Sequence, residues 1–138
     1  MDVTQDAVVD ISEALERFFG CSGKMLKPSR ATVEALVRSI PENQILTTDL
    51  LRAELARRSQ VQVTCPYCAK QALKAIGKAA PDGAPFWRVV KANGELISYF
   101  PGGVEGHAAL LKDEGFVIDD RPKTPRVQGF KDHLVRLE

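Results

Sequence analysis

Nowhere in the 138 residues is there a run of about 18 apolar side chains, so no stretch reads as a membrane-spanning helix. The first residues also lack the basic-then-apolar layout of a secretory signal, and the expectation is a cytoplasmic protein that meets no membrane. Cysteine is scarce and odd in number, three in all, which argues against a disulfide framework and for reduced thiols. Histidine is scarcer still, His107 and His133 alone. With one Cys-x-x-Cys pair and no His-x-x-x-His, a four-ligand metal site would have to recruit residues from distant parts of the chain. Neither a metal nor another cofactor is expected. An excess of one charge is missing too: 19 Lys and Arg stand against 18 Asp and Glu. The total therefore says nothing about a partner.

What is present fits an ordinary globular domain, with 44% hydrophobic and 27% charged residues. A chain of this length buries about two thirds of the surface that it exposes when unfolded, so it needs no covalent or metal staple. Charge is uneven along it. Between residues 47 and 79, six cations (Arg52, Arg57, Arg58, Lys70, Lys74, Lys78) face only two carboxylates, Asp49 and Glu54. A basic sector on a near-neutral protein lets one face meet phosphate while the rest stays indifferent.

Apolar spacing predicts a first helix from Asp6 to Phe19 that stops at Gly20, followed by a lysine-containing loop from Gly23 to Pro28. Ser29 is a good N-cap for a second helix carrying Val33, Leu36, Val37 and Ile40 on one face, and Pro41 prevents its continuation. Thr47 or Thr48 caps a third helix with Leu50, Leu51 and Leu55 inward and Arg52, Arg57 and Arg58 in solvent. The run from Val61 to Thr64 is ambiguous. From Pro66 to Ala79 a fourth helix places Ala69, Ala72, Leu73 and Ile76 on one side and Lys70, Lys74 and Lys78 on another. Pro81-Asp82-Gly83 breaks it. Two strand-like runs, Phe86 to Val90 and Glu95 to Tyr99, flank Asn93-Gly94 and read as a β-hairpin. Glu105 to Asp113 reads as a short helix with Leu110 and Leu111 inward, Phe116 to Ile118 as a strand, and His133 to Leu137 as a final segment. Helix, turn, lysine-bearing helix, hairpin is the order of a winged helix, whose second helix enters a groove and whose hairpin touches backbone.

Three stretches carry a more specific likeness: Ile40-Pro41-Glu42-Asn43-Gln44-Ile45-Leu46-Thr47-Thr48, then Pro85-Phe86-Trp87-Arg88-Val89-Val90 with Asn93-Gly94-Glu95-Leu96, then Pro101-Gly102-Gly103 through Glu114-Gly115. In order and spacing they resemble the DNA-binding domain of the alkylguanine-DNA alkyltransferases, over roughly residues 29 to 118. The resemblance implies an α/β fold: a winged-helix-like helix-turn-helix domain with a β-hairpin wing and an extra N-terminal helix. On that reading residues 1–28 are an N-terminal helix and loop, 29–118 the alkyltransferase-like domain, and 119–138 a C-terminal extension packed on it.

In that family the strand after the recognition helix carries Pro-Cys-His-Arg-Val, and its cysteine, made a thiolate through the histidine and a glutamate, accepts the alkyl group. Here the cysteine position is Phe86 and the histidine position Trp87, while Glu114 matches the glutamate without its histidine partner. Neither an arene nor an indole is a nucleophile or shuttles a proton, so alkyl transfer by the family mechanism is not expected and no catalytic residue is assigned. The nearest parallel is the alkyltransferase-like proteins, which bind alkylated DNA without repairing it. The resemblance thus implies double-stranded DNA, alkylated or not, as partner, with a DNA-repair protein as a further one. It implies DNA contacts from Lys70, Lys74, Lys78, Arg88, Thr47 and Thr48, and a pocket shaped by Phe86, Trp87, Pro101, Gly102 and Glu114. Lys70 lies nearest the position of the arginine that fills the gap left by a flipped base. Arg88 either contacts DNA backbone or pairs with Glu114.

Two readings from other classes stand beside this one. Cys65-Pro66-Tyr67-Cys68 has the form of a glutaredoxin redox motif at a helix start, where a thiol is reactive. Read structurally, these are partly buried helix-start cysteines. The other reading of the chain is a protein-interaction scaffold. The lysine row could be a solvated face, and Phe86 and Trp87 could simply fill the space of the missing residues. His107 and His133 read as surface or capping groups.

Overall fold

The computed structural model describes residues 6–79 and 84–135. Its centre is a pair of helices, each started by a side chain that the sequence advertises. Ser29 caps α2 (Arg30–Arg38), its hydroxyl accepting from the Thr32 N–H at 3.2 Å. Asp6 reinforces that cap from far along the chain, accepting from the Ser29 N–H at 2.7 Å and the Thr32 hydroxyl at 2.9 Å. The second helix, α4 (Pro66–Lys78), begins with Pro66 at its first turn, where a missing N–H costs nothing. Val33, Leu36 and Val37 of α2 and Ala69, Ala72, Leu73 and Ile76 of α4 lie in one buried cluster. The two alanines let the helix axes approach, and each fully buried Leu or Ile contributes about 2 kcal/mol over an exposed one. α3 (Thr48–Arg58) closes this core with Leu51 and Leu55.

Three small sheets pin these helices. β1 (Ala7–Asp10) runs antiparallel to β2 (Lys24–Lys27), and β4 (Val63–Thr64) adds to β2 in parallel. The expected first helix is therefore shorter: its N-terminal half is strand β1, and α1 (Glu13–Phe19) starts only after the Ser12 cap. Its spacing was compatible with both states, and the β-branched pair Val8-Val9 settles it in favour of strand once β2 offers an edge. The expected Gly23–Pro28 loop is likewise β2, with Met25 and Leu26 buried. Gly20 does end α1, in the left-handed conformation. Leu50, expected inward on α3, is exposed, and Glu54 is buried in its stead.

β3 (Leu46–Thr47) pairs in parallel with β5 (Val89–Val90). This pairing replaces the expected hairpin. Phe86–Arg88 form one 3-10 turn, not a strand, and Asn93-Gly94 do make a tight turn, with the Lys91 N–H donating to the Glu95 carbonyl at 3.0 Å. Beyond that turn, Glu95 bridges to Arg126 instead, so among the described residues no two-stranded wing forms. α5 (Gly103–Asp113) follows, with Leu111 buried and Leu110 partly so. The expected Phe116–Ile118 strand is shifted to β6 (Ile118–Asp119), which pairs with β7 (Arg126–Val127).

Residues past β7 fold back over the body. Phe130 lies against Gly94, where a Cβ would meet its ring at 2.5 Å. Leu134 bridges to Ile45 beside a second core of Ile45, Val90, Leu96, Leu111, Phe116 and Val127. The expected break at Pro81-Asp82-Gly83 lies outside the described residues, as does the end of the final segment. No helix among the described residues is long and apolar enough to cross a membrane.

Candidate nucleic-acid interface

Two constellations of the sequence reading can be located, and they differ in kind. The first surrounds the 3-10 turn. Phe86 is 2% exposed, packed between Phe100 (ring centroids 4.9 Å apart) and Trp87 (5.4 Å), and belongs to the main core. No face of that ring is left for a base. Trp87 packs against both cores and donates its indole N–H to Glu114, 2.7 Å away. Glu114, expected to lack a histidine partner, thus accepts from the indole. Arg88 chelates the same carboxylate through Nε (3.0 and 3.1 Å) and Nη2 (2.7 Å) and donates from Nη1 to the Ile40 carbonyl at 2.8 Å.

Burial alone would raise the Glu114 carboxyl, but the hydrogen bonds from Arg88 and Trp87, with the Asn43 backbone N–H, hold it below its ordinary value. A carboxylate so filled with donors cannot take up a proton as a base. Of the two roles open to Arg88, the structure displays the pair with Glu114. At 15% side-chain exposure the guanidinium faces inward and has little left to offer a phosphate.

His107, expected at the surface, is completely buried. Its Nδ1 accepts from the Ile97 N–H at 3.0 Å, which leaves the proton on Nε2 to donate to the Trp87 carbonyl at 2.8 Å. Burial pushes its pKa down to about 4, against the weaker opposing pull of that carbonyl. The neutral ring is a strut between the 3-10 turn and the Ile97 backbone. His133 is exposed and stacks edge-on against Phe116.

The second constellation is the outward side of α4. Lys70 and Lys78 are exposed and Lys74 is half-buried, and with the described residues none of the three forms an ion pair. Tyr67, 69% exposed, and Gln71 share the face. Lys70 sits over the Tyr99 ring, 5.5 Å from its centroid. Tyr99 is largely buried, which pushes its phenol up to about 12 despite the nearby Arg52. Gly77 joins this face to the next loop: a Cβ there would stand 3.0 Å from the Pro101 ring, so the glycine lets the exposed Pro101-Gly102 turn rest closely on α4.

Thr47 and Thr48 part company. Thr47 is 2% exposed and its hydroxyl is buried without a partner among the described residues, so it cannot reach a ligand, whereas Thr48 is half-buried at the start of α3. The arginines at the end of α3 are partly spent: Arg57 (2.8 and 2.7 Å) and Arg58 (2.6 Å) grip Glu54. Hydrogen bonding to Arg57 first, against the opposing effect of burial, holds that carboxyl down to about 2. Tyr67 and Tyr99, which the sequence did not single out, lie beside the lysine row, and Arg52, already counted in the basic sector, lies near Tyr99. For Tyr67 a signal existed, since it precedes Lys70 by three residues and Lys74 by seven on one helical stripe.

Cys65 is the N-cap of α4, its sulfur accepting from the Cys68 N–H at 3.3 Å. All three cysteines are free and half-buried. Among the described residues no group of His, Cys, Asp and Glu could hold a metal ion.

Helices on small sheets, with α3 leading through β4 into an exposed basic α4, define a mixed α/β domain of known type. No protein-family model and no curated protein matches the sequence. The structure, however, is similar to S. pombe ATL in complex with DNA, with a TM-score of 0.59 at 20% identity, over 78% of this chain and 94% of that one. It is similar also to S. pombe Atl1 in complex with damaged DNA containing O6-carboxymethylguanine, with a TM-score of 0.58 and the same identity and coverage. The protein has the fold of these alkyltransferase-like chains.

Proposed function

We propose that the protein binds double-stranded DNA through the outward face of α4 and transfers no alkyl group. The observation that carries this is the lysine row itself: Lys70, Lys74 and Lys78, without carboxylate partners among the described residues, on a fold shared with two DNA-bound structures. In this reading α3 and α4 act as a helix-turn-helix and α4 enters a groove, with Tyr67 and Arg52 beside the lysines. The hairpin contributes no wing. The turn at Pro101-Gly102, held against α4 by Gly77, takes the flanking position.

Absence of alkyl transfer follows from the chemistry at the 3-10 turn. Phe86 and Trp87 offer no nucleophile, and Glu114 is saturated with donors. The thiols of Cys65 and Cys68 cannot substitute, because they start α4 while Phe86 packs on Phe100, which borders Gly77 at its other end. Nine residues separate Cys68 from Gly77 and twelve separate Cys65, roughly 13 to 18 Å along the helix.

Recognition of an alkylated base is the finer part of the proposal, and the likeness to S. pombe Atl1 with damaged DNA supports it. Since Phe86 is packed, such a base meets Tyr99, Pro101 and Gly102 at the surface and not a cavity at position 86. Titration of matched duplexes containing guanine or O6-alkylguanine tests both parts. Binding to both, tighter to the alkylated one, with the duplex mass unchanged on incubation, is the expected result. No binding at low salt removes the proposal, and equal affinity for the two duplexes removes its lesion-sensing part.

A further inference from the structure

The Cys65-Pro66-Tyr67-Cys68 segment is left unused by DNA binding, yet its two sulfurs are placed for chemistry with each other. Cys65 stands at the N-cap, outside helical geometry (φ −59°, ψ 117°), and Cys68 lies in the first turn of α4. The Cys68 N–H is directed at the Cys65 sulfur, 3.3 Å away. A spacing of three residues around one turn falls within the roughly 4.4–6.8 Å between Cα atoms that a disulfide accepts. Both side chains remain half-exposed, with exposed Tyr67 between them. The backbone around them is fixed: the Cys65 N–H donates to the Leu26 carbonyl at 2.8 Å, tying the motif to β2.

We propose that Cys65 and Cys68 form a redox-active dithiol, which closes to an intramolecular disulfide by exchange with low-molecular-weight disulfides. Attack by Cys65 comes first. Its deprotonated sulfur displaces one thiolate from a disulfide R–S–S–R, forming a Cys65–S–S–R mixed disulfide. Cys68 then loses its proton to solvent and attacks the Cys65 sulfur, releasing the second thiolate. Two protein thiols are oxidised, one external disulfide is reduced to two thiols, and the two protons leave with them.

The assignment of order rests on the place of the two sulfurs: Cys65 stands at the N-cap, outside helical geometry, where its sulfur accepts the Cys68 N–H, while Cys68 sits inside the first turn of α4. In keeping with a resolving role, burial, then the Cys65 thiol, push the Cys68 thiol up to about 11, and the Lys27 ammonium nearby favours its anion when it forms. Closure replaces the N–H to sulfur bond that caps α4, and so alters the turn that presents Tyr67 and Lys70.

The intact protein, equilibrated with oxidised and reduced glutathione over a range of ratios and then acid-quenched, is read by mass and thiol count. The expected product has lost the mass of two hydrogen atoms and two of three thiols, and recovers both with dithiothreitol. Cys21→Ser leaves the exchange intact, whereas Cys68→Ser stops at a single glutathione adduct on Cys65. Wild-type protein that keeps Cys65 and Cys68 as thiols in the oxidising buffer, or that carries stable separate adducts on each, overturns the proposal. No nucleic acid enters the readout, so its failure is separate from that of the DNA-binding reading.

Discussion

Arg88, at the 3-10 turn, and Lys74, on α4, are both cations, and they differ in where their charge is spent. Arg88 delivers three donors to Glu114 and Ile40 inside a cluster that Trp87 completes, with 15% and 11% of the arginine and glutamate side chains exposed. The α4 lysines deliver none of theirs to a described carboxylate. An internally satisfied charge holds a fold together, while an unsatisfied exposed one is available to a partner. The 3-10 turn therefore reads as structure, and on the proposed function α4 is the surface that meets a partner, although the turn holds the residues that the sequence resemblance sets at catalytic positions.

If that division holds, damage to the first region is seen in stability. Glu114→Ala leaves the largely buried Arg88 guanidinium with the Ile40 carbonyl alone and the Trp87 indole N–H without its acceptor, and about 3 kcal/mol of unfolding free energy is expected to be lost in urea denaturation. A loss below about 1 kcal/mol would show that the cluster is not structural.

Protonation of His107 comes next. Its folded pKa of about 4 lies below the ordinary 6.5, so between these values the unfolded chain binds more protons than the folded one. Stability accordingly falls as pH drops from 7 toward 4, by about 2–3 kcal/mol from this group. His107→Gln, which keeps one donor and one acceptor, flattens that part of the profile. An equally steep profile in the variant assigns the fall to other groups.

Gly94→Ala is a smaller probe of the same side. The site has φ +84° and the Phe130 ring 2.5 Å from where a Cβ would be, so a cost of about 1–2 kcal/mol is expected. Phe130→Ala in the same chain should relieve part of it, and strict additivity of the two changes would refute the contact.

How much of this was legible in the sequence depended on whether a feature is local. Ser29 as a cap, the stop at Gly20 and the apolar stripe of α4 are written within a few residues of where they act. β1 and β2 were invisible because each is four residues long and exists by pairing with the other across a helix. Asn93-Gly94 encodes a turn and does form one, but a turn does not choose partners: Val89-Val90 pair with Leu46-Thr47, and Glu95 with Arg126. At the site, the lysine row could be read from periodicity alone. The burial of His107 and the Trp87–Glu114 bond could not, since both join residues brought together only by the closed core.

Charge reversal on α4 is the opposite test from all of these, with stability expected to move by less than about 0.5 kcal/mol. The measurement that bears most directly on the division is duplex affinity of Lys70→Glu/Lys74→Glu against wild type, by fluorescence anisotropy across a salt series. An unchanged melting temperature, affinity down by at least about tenfold and a log–log salt slope shallower by about two are expected. Wild-type affinity and slope in the doubly reversed protein would contradict the assignment of α4 as the DNA-facing surface.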